Sequence, residues 1–397
     1  MLVSTIELFA RARRAGHLGV KGADHLWLDW PAMIARKNEI VASWSKSKDA
    51  TPGKLGVPAL RGHAVFAGPH EITVDGRNYS AGKFVIATGS KPARPPIPGA
   101  EHAMTSDELL NLKEQPKSLV VIGGGFIGLE FGFALARAGT RVTLLQSAAR
   151  IGPALDHDIR NLLLESATNA GMTIKTNVKV TKINADKTVE ATVEGNQEKL
   201  PADQVLLAAG RPSNVAPLNP RAAGIELDHS VVKVNEYLQS VSAPHVYAAG
   251  DAAGKHQHSP VAWYEGPIAA YNALKGNERK VDFSIFPSAV FTIPPIGQVG
   301  LTEEEALRRG LKIKTSKLSY DSNPAAGVRD ETEGMVKVIY EEATERILGV
   351  HVIGARAEEI VQIAAAAMRG GLKKSAVGAM HYVFPTFGGA IFDTMAA

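Results

Sequence analysis

Three glycines, Gly123-x-Gly125-x-x-Gly128, have the residue type and spacing that most directly imply chemistry in this sequence. They follow the apolar run Leu119-Val120-Val121-Ile122, open a helix-forming stretch to Ala138, and precede a second apolar run, Val142-Thr143-Leu144-Leu145. In such a strand–turn–helix–strand setting the first glycine permits the tight turn. The second lets backbone approach a pyrophosphate, and the third lets helix and strand pack closely. The helix start at Phe126, Ile127 and Gly128 would add N–H groups and the positive end of the helix dipole. A dinucleotide-binding unit is therefore expected.

The residue closing the second strand ordinarily selects the nucleotide: a carboxylate accepts the ribose hydroxyls of NAD, and a nearby cation accommodates the 2′-phosphate of NADP. Here the position is Gln146, with Arg150 shortly after it. Without the carboxylate both nucleotides stay open, and NADPH is expected to serve at least as well as NADH. Arg150 reads equally as a phosphate ligand or as a surface arginine. Further on, Tyr247-Ala248-Ala249-Gly250-Asp251 places a carboxylate at the end of a buried-type strand, the edge where open α/β sheets bind ligands. A Gly-Asp pair alone is a turn; following two nucleotide-type units it reads as an acceptor for ligand hydroxyls. His256 and His258 lack a third ligand at compatible spacing, so a polar loop and no metal site is expected there. The sequence contains no cysteine, which excludes disulfides, thiolate metal sites and dithiol chemistry within these residues.

The elements that must position these residues show an internal repeat. Phe84-Val85-Ile86-Ala87 runs into Thr88-Gly89-Ser90, and Val205-Leu206-Leu207-Ala208 runs into Ala209-Gly210-Arg211-Pro212. Stepping back from Gly89 by the interval that separates Gly210 from Gly123 reaches Leu2, where the pattern is helical and has no glycine turn. The first copy thus shows only its second half. Helices are expected from the start of the chain, with Leu2, Ile6, Phe9 and Ala10 near one face, and after Asp29 and Pro31, with Met33, Ile40, Val41 and Trp44. Trp27, Trp30 and Trp44 are expected to be packing anchors. Short strands with an Asp75-Gly76 turn follow, and beyond Asn277 alternating strands and helices form a separate α+β unit.

At 397 residues with 45% hydrophobic content, the chain is long enough for two or three domains. Its 44 basic and 40 acidic residues leave a net +4 with no long single-sign run, so no nucleic-acid binding is expected. No stretch reaches the ~18–20 apolar residues of a membrane span. A cytoplasmic location without membrane contact is the expectation.

Together, Gly123 to Gly132, Ala87-Thr88-Gly89, Ala209 to Pro212, Tyr247 to Asp251, Ala262-x-x-Glu265-Gly266, and Val290-Phe291-Thr292 through Val299 to Glu303 resemble the pyridine nucleotide-disulfide oxidoreductases, in particular their mercuric-reductase-like and dihydrolipoamide-dehydrogenase-like flavoproteins. The resemblance spans essentially the whole chain. It implies an α/β fold with two Rossmann-like FAD/NAD(P)-binding domains, the first incomplete, and a C-terminal α+β dimerisation domain. The segments would be 1–115 and 213–280 for FAD, 116–212 for NAD(P) and 281–397 for dimerisation, giving a homodimer. It places Thr88, Gly89 and Ser90 beside FAD, Asp251, after Gly250, on the ribityl chain, and His258, Ser259 and Val261 near the flavin ring. Gly210 falls near the nicotinamide, and Glu130 near the flavin as the candidate catalytic group.

Departures limit what the resemblance carries. The family's FAD turn, its redox-active dithiol and the lysine partner of Glu130 align upstream of Met1. Its catalytic histidine and the glutamate that holds it align with Phe384 and Gly389. Phenylalanine carries no transferable proton. The expected function is an FAD-dependent NAD(P)H oxidoreductase passing electrons to a small-molecule acceptor such as a quinone, dye or metal ion, without disulfide chemistry. A non-catalytic nucleotide-binding fragment, or a disulfide or mercuric reductase lacking its front end, remain the alternatives. Loss of the central first strand would exceed the roughly 5–15 kcal/mol margin of a domain, so about 40–50 further residues, a strand–turn–helix–strand length, are expected upstream.

Overall fold

In the computed structural model, residues 1–254 and 256–397 are described. Helix α1 (Leu2–Arg14) buries Leu2 and Ile6 and gathers Arg11, Arg13 and Arg14 at its negative C-terminal end. Helix α2 (Trp30–Lys54) begins where expected, the Asp29 carboxylate accepting the Ala32 N–H at 3.0 Å. Of the three tryptophans expected to anchor packing only Trp30 does so; Trp27 and Trp44 are 75% and 61% exposed. Strands β1 (Ala64–Gly68), β2 (Glu71–Val74) and β3 (Arg77–Ser80) form a meander. Its second turn is Asp75-Gly76, with φ of 46° and 80°, the left-handed pair that suits the twist of a two-residue hairpin. Strand β4 (Phe84–Ile86) and the short helix α3 (Ser106–Leu109) follow.

The nucleotide-type unit then runs through β5 (Ser118–Ile122), α4 (Phe126–Arg137), β6 (Arg141–Leu145), α5 (His157–Asn169) and β7 (Thr173–Lys175). An antiparallel excursion, β8 (Lys179–Ile183), β9 (Val189–Val193) and β10 (Asn196–Leu200), precedes the return strand β11 (Gln204–Leu207). After β12 (Leu227–Asp228) and β13 (Val231–Val232) come β14 (Val246–Ala248) and α6 (Ser259–Lys275). The C-terminal elements are β15 (Ser288–Val290), β16 (Ile296–Gly300), α7 (Glu303–Arg308), β17 (Ile313–Ser319), α8 (Pro324–Arg329), β18 (Met335–Glu341), β19 (Ile347–Ile353), α9 (Ala357–Arg369), α10 (Lys374–Gly378) and α11 (Gly389–Ala396). No helix among the described residues is long and apolar enough to cross a membrane.

The chain divides into two compact units. The first unit comprises 1–37, 94–209 and 284–397, so the opening helix and the C-terminal segment belong with the nucleotide-type unit. Its parallel sheet runs β11-β5-β6-β7, the order of a strand–helix–strand fold with its return strand on the far edge. A five-stranded antiparallel sheet, β15-β16-β19-β18-β17, has β19 at its centre, buried at every position. One core joins these parts: Ile6, Trp30, Leu129, Phe133, Leu144, Leu163, Ile293 and Ile353 belong to a single cluster of buried apolar side chains.

A polar cluster is buried beside that core. Lys337 on β18 has no exposed side-chain area, and its ammonium lies 2.8 Å from Asp156, 2.6 Å from Asp158 and 2.5 Å from Glu303. Asp156 caps α5 by accepting the Asp158 N–H, and its other oxygen accepts the Glu303 N–H at the start of α7. Lys317, opposite Lys337 in the ladder, also reaches Asp158, at 2.7 Å. The carboxylate between them offsets the repulsion of two like charges facing across strands. Burial opposes the charge on Asp156, but the Lys337 hydrogen bond, the nearby His351 and the Glu303 N–H outweigh it and hold the carboxyl below its ordinary range.

The second unit comprises 38–93 and 210–283. It contains the β1-β2-β3 meander, the β12-β13 pair and a parallel pair in which Val246, Tyr247 and Ala248 of β14 match Phe84, Val85 and Ile86 of β4. Phe66, Ile86, Val232, Val246 and Ala248 form its core.

Replacing Lys337 by alanine leaves the buried Asp156 carboxylate without its ammonium and is expected to cost about 3–5 kcal/mol, measured by urea unfolding at neutral pH. Because the folded Asp156 titrates below the ordinary aspartate value of about 3.9, its stabilisation is present above that pH and is lost as pH falls through the folded value. The gap between wild type and Lys337→Ala should therefore narrow in acid. A gap independent of pH would show that the cluster does not act through charge.

Candidate functional site

The glycine turn sits at the C-terminal end of β5, and its three glycines are not equivalent. Gly123 has φ +116°, and a Cβ there would meet the Ala208 carbonyl oxygen at 2.4 Å. A Cβ on Gly128 would meet the Gly123 oxygen at 2.0 Å. Gly123 is demanded by its left-handed φ and by the backbone just past the end of β11, and Gly128 by the close approach of α4 to the turn. Gly125 has an ordinary φ of −78°, caps α4, and faces open space, with nothing within 4 Å of a built Cβ. The fold does not require glycine there, whereas an anionic ligand brought against the start of α4 at Phe126, Ile127 and Gly128 would.

Gln146 does not project as a selector. Its Oε1 accepts the Gly124 N–H at 3.0 Å and its Nε2 donates to the Arg150 carbonyl, so the side chain fastens the turn to the loop after β6. The guanidinium of Arg150 is paired with Glu304, its Nη1 lying 3.0 and 3.2 Å from the two carboxylate oxygens. The Arg150–Glu304 pair was not foreseeable from local spacing, since Glu304 belongs to α7, 154 positions further on.

In the second unit a cavity of about 480 Å³ opens at the C-terminal ends of β4 and β14. Gly89, Arg211, Gly250, Asp251, Gln257, Ser259 and Trp263 line it. The Ser90 hydroxyl donates to Asp251 Oδ2 at 2.5 Å while Arg211 donates to the Ser90 hydroxyl and carbonyl oxygens at 2.9 and 3.1 Å. Gly250, at φ +65°, donates its N–H to the buried Glu265 carboxylate at 2.7 Å. Gln257 in turn donates to the Arg211 carbonyl. Arg211, Gln257, Trp263 and Glu265 were not among the expected site residues; the Ala262-x-x-Glu265-Gly266 motif was the one signal pointing to Glu265.

Other expected residues fall outside the cavity lining. Thr88 is exposed, Ser90 acts from behind Asp251, and Gly210 stands at the strand end with φ +112°. His258 caps the start of α6; burial lowers the basicity of its ring and the Asp251 charge opposes that shift. Val261 is fully buried. On α6 the inward face carries Val261, Glu265, Ile268, Ala269 and Asn272, whereas Ala262, Trp263 and Gly266 point to the cavity. A helix turns about 100° per residue, so residues two apart serve opposite faces.

Glu130, one turn into α4, accepts the Phe291 N–H at 3.0 Å. Burial pushes its carboxyl above the ordinary range, and the hydrogen bond from Phe291 only partly offsets this. At the other end of the first unit Phe384 is 68% exposed. His381 is also exposed, and the Tyr382 hydroxyl donates to Asp393, so that tyrosine is committed to the C-terminal helix. Asp156, His157 and Asp158 form the one cluster of metal-ligating type among the described residues, and the Lys337 ammonium already lies between the two carboxylates.

Comparison with known proteins adds the following. A family model described as pyridine nucleotide-disulphide oxidoreductase matches residues 21–266, and the model of that family's dimerisation domain matches 286–394. A mercuric reductase of Staphylococcus aureus is 38% identical over 325 residues, covering 80% of this chain and 59% of that protein. A dihydrolipoyl dehydrogenase of Bacillus subtilis is 30% identical over 390 residues, covering 96% and 84%. The chain spans about three fifths of the length of the mercuric reductases it matches. Among solved structures, the HOCl-induced flavoprotein disulfide reductase RclA of Escherichia coli superposes with a TM-score of 0.88 at 28% identity, covering 100% of this chain and 89% of that one.

Two outcomes are expected from substitutions here. Gly125→Ala should leave the fold intact while weakening nicotinamide-nucleotide binding by roughly tenfold or more, and Gly128→Ala should destabilise the unit itself; equal effects of the two on melting temperature would contradict the geometry. For Glu130, a raised folded pKa means stability that is full below the unfolded value near 4.3 and is lost as pH rises through the folded one. Glu130→Gln keeps the acceptor for Phe291 and removes the buried charge. It should melt about 2–4 °C higher than wild type at pH 8, roughly 1 kcal/mol, with the difference closing by pH 4.

Proposed function

The chain belongs to the pyridine nucleotide-disulphide oxidoreductase family, and on that premise we propose that it is an FAD-dependent NAD(P)H oxidoreductase delivering electrons to a small acceptor. The observation that carries this is the middle glycine of the turn: Gly125 alone of the three answers to no packing demand and opens at the start of α4.

The described residues fit a nicotinamide nucleotide at the glycine turn, and the flavin and ribityl part of FAD at the cavity of the second unit. In the first unit the turn offers backbone and helix dipole to a pyrophosphate. In the second unit the cavity combines a carboxylate, Asp251, with small residues at Gly89 and Gly250 that let a ring system approach the backbone. Bound FAD would supply hydride acceptance from the nicotinamide and onward electron transfer. This chain's residues supply orientation. Arg211 holds Ser90, Ser90 fixes one oxygen of Asp251, and the other remains an acceptor for ligand hydroxyls. Glu265 fixes Gly250, the residue that sets the direction of the Asp251 side chain. Glu130 accepts the Phe291 N–H and so ties α4 to the segment that precedes β16. NADPH is proposed as a donor at least as good as NADH, since the end of β6 carries Gln146 in place of a carboxylate. The match of 286–394 to a dimerisation domain supports a homodimer through that segment.

A second reading, reduction of a disulfide or of mercuric ions using thiols outside these residues, draws support from the mercuric reductases of which the chain covers about three fifths. Against it, the position of the family's proton-transfer histidine carries Phe384, which can neither take nor give a proton.

The purified chain loaded with FAD should be yellow and should bleach when NADPH is added without oxygen. Asp251→Ala should weaken FAD retention roughly 10- to 100-fold, the cost of a charged hydrogen-bond acceptor. Oxidation of NADPH by a quinone or dye supports the first reading; the second is supported if added thiols enable this chain to turn over a disulfide or Hg(II), and opposed if they do not. A colourless chain that binds NADPH and never FAD would be a nucleotide-binding protein instead.

A further inference from the structure

The end of β6 lacks an acidic selector, and Gln146 is occupied in fastening the glycine turn. Discrimination between the two nicotinamide nucleotides therefore has to come from the next charged group, Arg150. Its backbone is tied to the turn on both sides: Gln146 Nε2 donates to the Arg150 carbonyl at 3.2 Å, and the Gly152 N–H donates to the Gly124 carbonyl at 2.9 Å. Its guanidinium already has an anion, Glu304, with both carboxylate oxygens within hydrogen-bond distance. Both side chains are substantially exposed, 59% and 44%, so a ligand can reach them.

Glu304 is delivered to this point by the buried cluster. The residue before it, Glu303, donates its N–H to Asp156 and places its carboxylate on Lys337, which pins the first turn of α7. A capping box between Thr302 and Glu305 closes the same turn. The carboxylate thus stands on a fixed backbone beside the loop that follows β6.

We propose that Glu304 is a specificity-determining residue, a carboxylate that competes with the 2′-phosphate of NADPH for Arg150 and so restrains the preference for NADPH over NADH. This rests on the reading that a nicotinamide nucleotide binds at the glycine turn. A nucleotide without a 2′-phosphate leaves the Arg150–Glu304 pair undisturbed. One with it exchanges the carboxylate for a phosphate of higher charge and leaves Glu304 next to a like charge. The competition weakens NADPH alone, and because the groups are exposed it fades as salt rises.

The test is equilibrium binding of NADPH and NADH to the full chain, by calorimetry at low and high salt, for wild type, Glu304→Gln, Arg150→Gln and the double variant. Expected are a 3- to 10-fold tightening of NADPH by Glu304→Gln with NADH within twofold, a weakening of NADPH alone by Arg150→Gln, and no effect of Glu304→Gln once Arg150 is gone. Melting temperatures of the variants should stay close to wild type, since an exposed pair contributes little to stability. Equal shifts for both nucleotides, no shift for NADPH, or an unchanged Glu304→Gln effect in the Arg150→Gln background would overturn the proposal while leaving the nucleotide reading intact. Wild type binding neither nucleotide, or Gly125→Ala binding both as well as wild type, would remove that reading and the proposal with it.

Discussion

A lysine with no exposed side-chain area, held by three carboxylates, is the constraint on which the first unit depends. An isolated ammonium moved out of water is penalised by several kcal/mol, and only well-placed opposite charges repay that cost. Lys337 therefore dictates where Asp156, Asp158 and Glu303 must be, the first two at the start of α5 and the third at the start of α7. Asp156 also closes the backbone at the first turns of both α5 and α7. Hydrophobic contact could join these segments in several registers. The ion cluster admits one, which is why 94–209 and 284–397 form a single compact unit rather than two.

That joining has consequences at the nucleotide turn. Arg137, near the end of α4, adds a second tie by donating to the Ile293 carbonyl and to Glu333. Glu130 on the same helix accepts the Phe291 N–H. The helix whose start faces the proposed pyrophosphate is thus braced along its length by the C-terminal segment, and the loop after β6 meets a carboxylate from that segment. The second unit organises its cavity differently. There a relay of polar contacts, Arg211 to Ser90 to Asp251, with Glu265 holding Gly250, orients a single acceptor. Such relays place a side chain without needing it to be packed in apolar surroundings.

Much of the fold was legible in the residues because the signals were local. The glycine turn between two apolar runs, the Asp29 cap before α2, the Asp75-Gly76 turn and the repeated strand–glycine endings all follow from what a few consecutive residues can do. The turn and the cavity rim were legible where backbone geometry makes them, at Gly123, Gly125 and Gly128 and at Gly89 and Gly250. It was less so where a side chain could serve either face of a helix: Val261 turned into the core while Trp263, two residues on, lines the cavity. Trp27 and Trp44 look alike to Trp30 in composition, yet only Trp30 is buried, its indole N–H donating to the Leu112 carbonyl.

From its amino-acid order alone, this protein declared an α/β architecture, a phosphate-type turn and a family, since periodicity and glycine spacing are properties of neighbouring residues. Packing and long-range contact settled which charges meet. Arg150 and Glu304 lie 154 positions apart and Asp156 and Lys337 181 apart. No local pattern encodes such pairs, because each forms only after separate elements have docked and brought two charges together.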